Sequence, residues 1–164
     1  MIFILFISFV IILLIAELFV ARRNEKWMLQ NGAVEYGKKH YPFIVALHSL
    51  FFVSLIVEYS MQQAPSSFNL IILLIYLLLI VFKVWVIASL GKFWNTKIFR
   101  IQNYPLINKG LYKYIKHPNY VIVVAEIALI PLIFHLYYTA VIFTVLNAIM
   151  LTVRIREENL ALRN

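Results

Sequence analysis

Cysteine and aspartate are both absent from the chain. Without cysteine there is no disulfide framework, no thiolate metal site and no cysteine nucleophile. Without aspartate, the Asp-rich magnesium motifs of many membrane enzymes that transfer phosphate groups are excluded. Glycine is scarce: Gly32, Gly37, Gly91 and Gly110 are the only four, and they build neither G-x-G-x-x-G nor a P-loop. A Rossmann-type nucleotide site is thereby excluded. The four histidines are scattered with no H-x-x-x-H pair, so no metal site is expected. Charged residues make up only 13 % of the chain, with fifteen Lys and Arg against seven acidic residues.

What is abundant is apolar. Of the 164 residues 63 % are hydrophobic, and the mean hydropathy is +0.88. A soluble domain of this size cannot hide that much apolar surface. The runs reach or approach the ~20 residues that cross a bilayer. The expectation is an all-α polytopic membrane protein, a single domain over 1–164. Three N-terminal spans fill 1–90, and an interfacial segment, a helical hairpin and a C-terminal helix fill 91–164.

The first span is expected from about Ile2 to Ala21. It has no basic leader and no small-residue cleavage site, so it reads as a retained helix. Arg22, Arg23, Lys26 and Trp27 close it as an interface signature. Pro42 opens a second span, Phe43 to Ser60. An uncharged turn, Gln62-Gln63-Ala64-Pro65-Ser66-Ser67, leads to a third, Phe68 to Leu90. After the polar stretch Gly91–Pro118 come two shorter apolar segments, Asn119–Phe134 and Tyr137–Val153, read as a tight hairpin, and a polar tail from Arg154. Five transmembrane helices result.

The basic residues alternate with these spans. Arg22, Arg23, Lys26, Lys38 and Lys39 lie in the first loop, and Lys92, Lys97, Arg100, Lys109, Lys113 and Lys116 in the third. Arg154, Arg156 and Arg163 lie in the tail; the two other turns have none. Fourteen of the fifteen thus fall on one side, Lys83 being the exception. The positive-inside rule places the N-terminus outside and the C-terminus in the cytoplasm. Anionic lipid accounts for the basic balance, so no nucleic acid partner is expected.

Lys83, Glu126 and Asn147 share one depth. Each lies seven or eight residues from the cytoplasmic end of its helix, ~10–12 Å at ~1.5 Å per residue. Charges there pair or line a cavity. The alternatives are a Lys83–Glu126 ion pair, a snorkelling Lys83, or a polar pocket. Glu17 and Glu58 read as interfacial. On the last helix Asn147, Leu151, Arg154 and Glu158 form one stripe, and Arg154 and Glu158 are spaced to touch. Lys92-Phe93-Trp94 and Lys97-Ile98-Phe99-Arg100 interleave bases with aromatics, as in a stretch lying along headgroups.

Gly110-x-Tyr112-x-x-x-Lys116-His117-Pro118-x-Tyr120, a hairpin, and then Arg154-x-x-x-Glu158-Asn159-x-x-Leu162 resembles the isoprenylcysteine carboxyl methyltransferase family, in its small bacterial, phospholipid-methyltransferase-like branch. Leu90-Gly91-x-x-Trp94 matches a stretch upstream. The resemblance covers about the last 75 residues. It implies a membrane enzyme that takes S-adenosylmethionine and methylates a carboxylate or related oxygen of a lipid-like or prenylated substrate; some relatives are associated with O-methylation of long-chain polyketides. It implies that Gly110, Tyr112, Lys116, His117, Pro118, Tyr120, Glu157 and Asn159 hold the cofactor in a cytoplasmic pocket. Glu158 and Arg154 become the catalytic pair. Lys83, Trp94, Glu126 and Asn147 are expected to meet the substrate. The chain departs from the family pattern in having Lys116 for an arginine, Ile122 for a glycine, and Asn159 for the second acid of a Glu-Glu pair. Two other functions fit the same spans: a non-catalytic membrane interaction protein, and a reductase on a related helical framework.

Overall fold

The computed structural model describes residues 1–62 and 67–163, so the turn expected at 62–67 lies, at residues 63–66, outside the described residues. Among the described residues five α-helices follow one another: α1 (Ile2–Gln30), α2 (Tyr41–Met61), α3 (Leu70–Leu90), α4 (Pro118–Leu132) and α5 (Tyr137–Arg163). Four of them are long and apolar enough to cross a membrane. α4, expected as a span of its own, has only 15 residues, or ~22 Å, short of the ~30 Å hydrocarbon core.

The other lengths differ in an informative way. α2 and α3 have 21 residues each, about one bilayer core. α1 has 29 and α5 has 27. α1 therefore runs nine residues past Ala21, where the first span was expected to end, and α5 carries the expected polar tail as helix. Nothing in either stretch breaks a helix: there is no Pro or Gly from Arg22 to Gln30 or from Arg154 to Arg163. Charge marks where a helix leaves lipid, not where it stops.

The all-α expectation also needs correction. Two four-residue strands, β1 (Ala33–Tyr36) and β2 (Ile98–Ile101), pair antiparallel with Ala33 opposite Ile101 and Tyr36 opposite Ile98. They sit at the basic end of the bundle and tie the loop after α1 to the segment after α3. Asn24 reinforces this junction from α1: its Nδ2 donates to the carbonyls of Gly91 and Trp94 at 3.0 and 2.8 Å. Lys97 reaches Glu25 at 2.7 Å, and that hydrogen bond raises the lysine above its ordinary range.

The core lies toward the opposite, apolar end. Phe3, Ile7 and Val10 of α1, Phe51 and Leu55 of α2, Tyr76 of α3, and Ile127, Ile130, Ile133, Phe134, Leu136 and Phe143 form one buried cluster. Phe3 stacks on Tyr59 at 3.8 Å and meets Phe134 edge-on at 5.1 Å. Four residues, 133–136, connect α4 to α5, and the two helices pack along each other. Glu58 of α2 accepts from the free N–H groups of Tyr138 and Thr139 at 3.1 and 2.7 Å, capping α5. Outward-facing Ile4, Leu5, Ile12, Phe19, Leu74, Leu78, Val141 and Ile149 stay exposed, as lipid-facing residues must.

Because α4 and α5 start from a common turn at the apolar end, the shortness of α4 has a consequence. Its first residue, Pro118, stands ~22 Å from that turn, while α5 continues to ~40 Å. The last turns of α5 overhang the start of α4 and leave a recess there.

Candidate functional site

Pro118 occupies the first turn of α4, where its missing N–H costs nothing and its fixed φ favours the helix. That places His117 just outside and Tyr120 one turn inside. α5 brings Arg154 and Glu158 to the same place, since residues four apart share a helix face. Tyr112 arrives on a short 3-10 turn, Gly110–Lys113, laid against α3. The close approach needs Gly110: its φ is +56°, and a Cβ there would fall 2.2 Å from Ser89 Oγ.

These groups form a connected network. Arg154 is 8 % exposed. Its Nε donates to Tyr120 Oη at 3.0 Å, its Nη2 donates to the Thr96 carbonyl at 2.5 Å, and its guanidinium lies 5.3 Å from the Tyr120 ring centre. The Tyr120 hydroxyl donates in turn to Glu158 Oε2. His117 Nδ1 lies 3.2 Å from the same carboxylate oxygen, and its ring stacks on Tyr120 at 5.4 Å. Arg154 and Glu158 therefore meet through Tyr120, where the stripe on α5 led one to expect direct contact. Burial and the Glu158 charge push the Tyr112 hydroxyl above its ordinary range, so it stays protonated. Partial burial and the nearby Arg154 charge lower His40, beside the β1 loop, below the usual histidine range.

Two cavities share this network. A small polar one of about 80 Å³ is lined by Trp94, Tyr112, His117, Tyr120, Arg154 and Glu158, among others. A larger one of about 310 Å³ runs from Trp94, Tyr120 and Arg154 down between the helices to Glu17, His48, Lys83, Glu126 and Asn147. At its deep end Lys83 is clamped between Glu17 at 2.5 Å and Glu126 at 2.9 Å. Glu17 is thus no interfacial residue. α1 continues well beyond it, and burial without a partner would be prohibitive, so it shares the lysine.

Of the residues singled out from sequence, the structure gathers Tyr112, His117, Tyr120, Arg154, Glu158 and Trp94 around the small cavity. It gathers Lys83, Glu126 and Asn147 around the large one. Pro118 is buried at the start of α4, and Gly110 acts through its packing on α3. Lys116 is exposed. Glu157 is half-buried on the side of α5 toward His40. Asn159 lines a shallow depression with Thr152, Ile155 and Arg156, away from Glu158. Sequence reasoning missed Thr96, Tyr41, His48 and Glu17. Only Glu17 carried a signal, an acid inside an apolar run with a lone lysine in another.

Residues 70–164 match the model of the isoprenylcysteine carboxyl methyltransferase (ICMT) family. The chain is 45 % identical over 160 residues, 97 % of it and 95 % of the relative, to the uncharacterized protein YpbQ of Bacillus subtilis (strain 168). It is 31 % identical over 148 residues, 89 % of it and 86 % of the relative, to an uncharacterized protein of Haemophilus influenzae. No solved structure matches it significantly.

Proposed function

The chain belongs to the isoprenylcysteine carboxyl methyltransferase family, a family of membrane methyltransferases, and from that premise we propose that it uses S-adenosylmethionine to methylate a carboxylate or hydroxyl oxygen of a lipid-like acceptor. The observation that carries this reading is the Arg154–Tyr120–Glu158–His117 network, standing where a polar cavity and a membrane-embedded one meet. A polar cofactor enters such a site from water and an apolar acceptor from the bilayer.

The residues fit the cofactor. Glu158 Oε2 is taken up by Tyr120 and His117, which leaves Oε1 with no hydrogen bond among the described residues and a negative charge for a cationic ligand. His117 Nε2 is buried with no hydrogen-bond partner among the described residues, a state that a ligand group relieves. Tyr112, His117 and Glu158 would hold the cofactor, with Gly110 and Pro118 fixing the loop around them. Lys116 and Glu157 would act at its rim. When bound, S-adenosylmethionine supplies an electrophilic methyl group.

Arg154 orients the acceptor oxygen. Its Nε and one Nη are fixed by Tyr120 and Thr96, so the guanidinium is held rigid and its remaining N–H groups face an anionic oxygen at low entropic cost. A carboxylate needs no general base. A hydroxyl loses a proton, and Glu158 or His117 is placed to take it. Trp94, Lys83, Glu126 and Asn147 line the space for the acceptor. With water excluded, the attraction of Arg154 for an anionic oxygen is strengthened.

Sidedness follows from charge. The basic end, with its two strands, faces the cytoplasm of a bacterial cell, and the N-terminus faces outward. Termini tagged and found accessible from the same side would refute the odd number of crossings on which this rests.

The test is calorimetry of S-adenosylmethionine binding to the purified protein in detergent. The parent binds, and Glu158→Ala binds at least about tenfold more weakly, as expected for loss of a charge-assisted contact. No detectable binding by a folded parent, with Glu158→Ala indistinguishable from it, rejects the reading. Mass spectrometry of lipid extracts from cells with and without the protein, seeking a shift of one methyl group, identifies the acceptor.

A further inference from the structure

The deep half of the larger cavity holds polar groups that the methyl-transfer network does not use. Asn147 stands on α5 seven residues before Arg154, two turns away on the same face and ~10 Å deeper. It is 2 % exposed and lines the cavity, and its Nδ2 has no hydrogen-bond partner among the described residues. A buried amide that donates to nothing is costly in water-free surroundings, and such groups are rare unless a ligand or water completes them. His48, on the neighbouring helix α2, lines the same cavity. Its Nδ1 lies 2.8 Å from the Ile44 carbonyl. A carbonyl only accepts, so the proton sits on Nδ1, and Nε2 presents a lone pair.

The ion cluster nearby does not satisfy these two. Lys83 spends its N–H groups on Glu17 and on both oxygens of Glu126. The walls between the two polar layers are apolar: Ile44, Val45, Val123, Met150 and Leu151. The cavity therefore alternates, with a polar site at Arg154 and Tyr120, then an apolar sleeve, then a donor and an acceptor. A plain hydrocarbon tail fills the volume and leaves Asn147 unpaired. A tail bearing an oxygen at that depth pairs with it, and a site built for a hydrogen-bonding group discriminates strongly against the analogue that lacks it.

We infer that Asn147 and His48 form a specificity subsite for a second oxygen of the acceptor, so that the acceptor is a long-chain molecule carrying an oxo or hydroxyl group deeper in the membrane than the oxygen that is methylated. An oxo group accepts from Asn147. A hydroxyl accepts from Asn147 and has a proton for His48. This rests on the reading of the larger cavity as the acceptor site.

The experiment uses the full chain in detergent, with hexadecanoic acid and a set of keto-hexadecanoic acids whose ketone is moved stepwise along the chain. Binding is measured by calorimetry, and S-adenosylmethionine binding is measured on the same preparation. One ketone position is expected to bind about tenfold more tightly than hexadecanoic acid, the difference one buried hydrogen bond makes. Asn147→Leu brings that keto acid down to the level of hexadecanoic acid. A flat series in the parent, or a preference that persists in a folded Asn147→Leu protein, overturns the inference. The parent series decides alone if the variant does not fold. A protein that selects a ketone position but binds no S-adenosylmethionine keeps the subsite and loses the methyltransferase reading. One that binds S-adenosylmethionine but shows a flat series does the reverse.

Discussion

At the apolar end of the bundle, side chains from α1, α2, α3, α4 and α5 pack into one buried cluster, with the rings of Phe3, Tyr59 and Phe134 in contact and a Ser54–Thr139 hydrogen bond joining α2 to α5. At the basic end the same helices surround two cavities, and buried atoms of His117 and Asn147 that line them lack hydrogen-bond partners among the described residues. Lipid offers no hydrophobic reward for helix association, so the bundle is held by close packing and hydrogen bonds. The apolar half supplies the packing. The basic half gives it up in exchange for a space that admits ligands. Stability and chemistry are divided along the membrane normal, and the boundary between them is the Glu17–Lys83–Glu126 layer.

That division is open to attack at four places. The largest effect is expected at the boundary. Lys83→Met strands two carboxylates in a nearly dry environment and should cost ~3–5 kcal/mol. Replacing Glu17 and Glu126 by Gln in the same protein should recover most of it. Thermal melting in detergent reads both, and a Lys83→Met protein that melts with the parent would erase the boundary as a structural element. Next, Arg154→Lys keeps the charge but cannot reproduce the fixed contacts to Tyr120 and Thr96. Methyl transfer should fall about 100-fold, by analogy with loss of a preorganised electrostatic contact, with little change in melting. Equal losses in both would mean that Arg154 is a strut.

The third test lies in the apolar half. Phe134→Ala removes a ring from the Phe3–Tyr59 cluster and should destabilise by ~2–3 kcal/mol, less than in a soluble core because lipid replaces water in the reference. Turnover per folded molecule should stay near that of the parent, and a parallel fall in turnover would break the division of labour. The smallest effect is expected at the cap of α5. Glu58→Gln weakens two hydrogen bonds to backbone N–H groups and should cost ~1 kcal/mol, again read from melting alone.

How much of this was legible before any coordinates differs by region for a physical reason. The long apolar runs and the stripe Asn147–Leu151–Arg154–Glu158 are local patterns, set by a helical repeat of 3.6 residues. The gathering of His117, Tyr120 and Glu158 could be read only through the family resemblance, because no short-range rule ties one end of α4 to the far end of α5. The strand pair was missed. Ala33–Tyr36 and Ile98–Ile101 are four residues each, without a hairpin turn between them, and distant pairing leaves no local signature. Helix ends were misplaced wherever charge was taken as a stop, as at Ala21, since Arg and Glu are good helix formers in water.

By itself the sequence determined that the chain lives in a bilayer, which of its ends carries the positive charge, and which residues ride together on α5. These are consequences of solvent and of helical geometry, and no contact between distant segments is needed to settle them. Only the tertiary structure decided that Glu17 shares Lys83 with Glu126, that Tyr120 stands between Arg154 and Glu158, and that Asn147 faces a cavity with an amide that has no partner among the described residues. Such pairings depend on how far each helix extends and how short α4 is. Those lengths are fixed by packing between segments far apart in the chain, not by any window of residues within it.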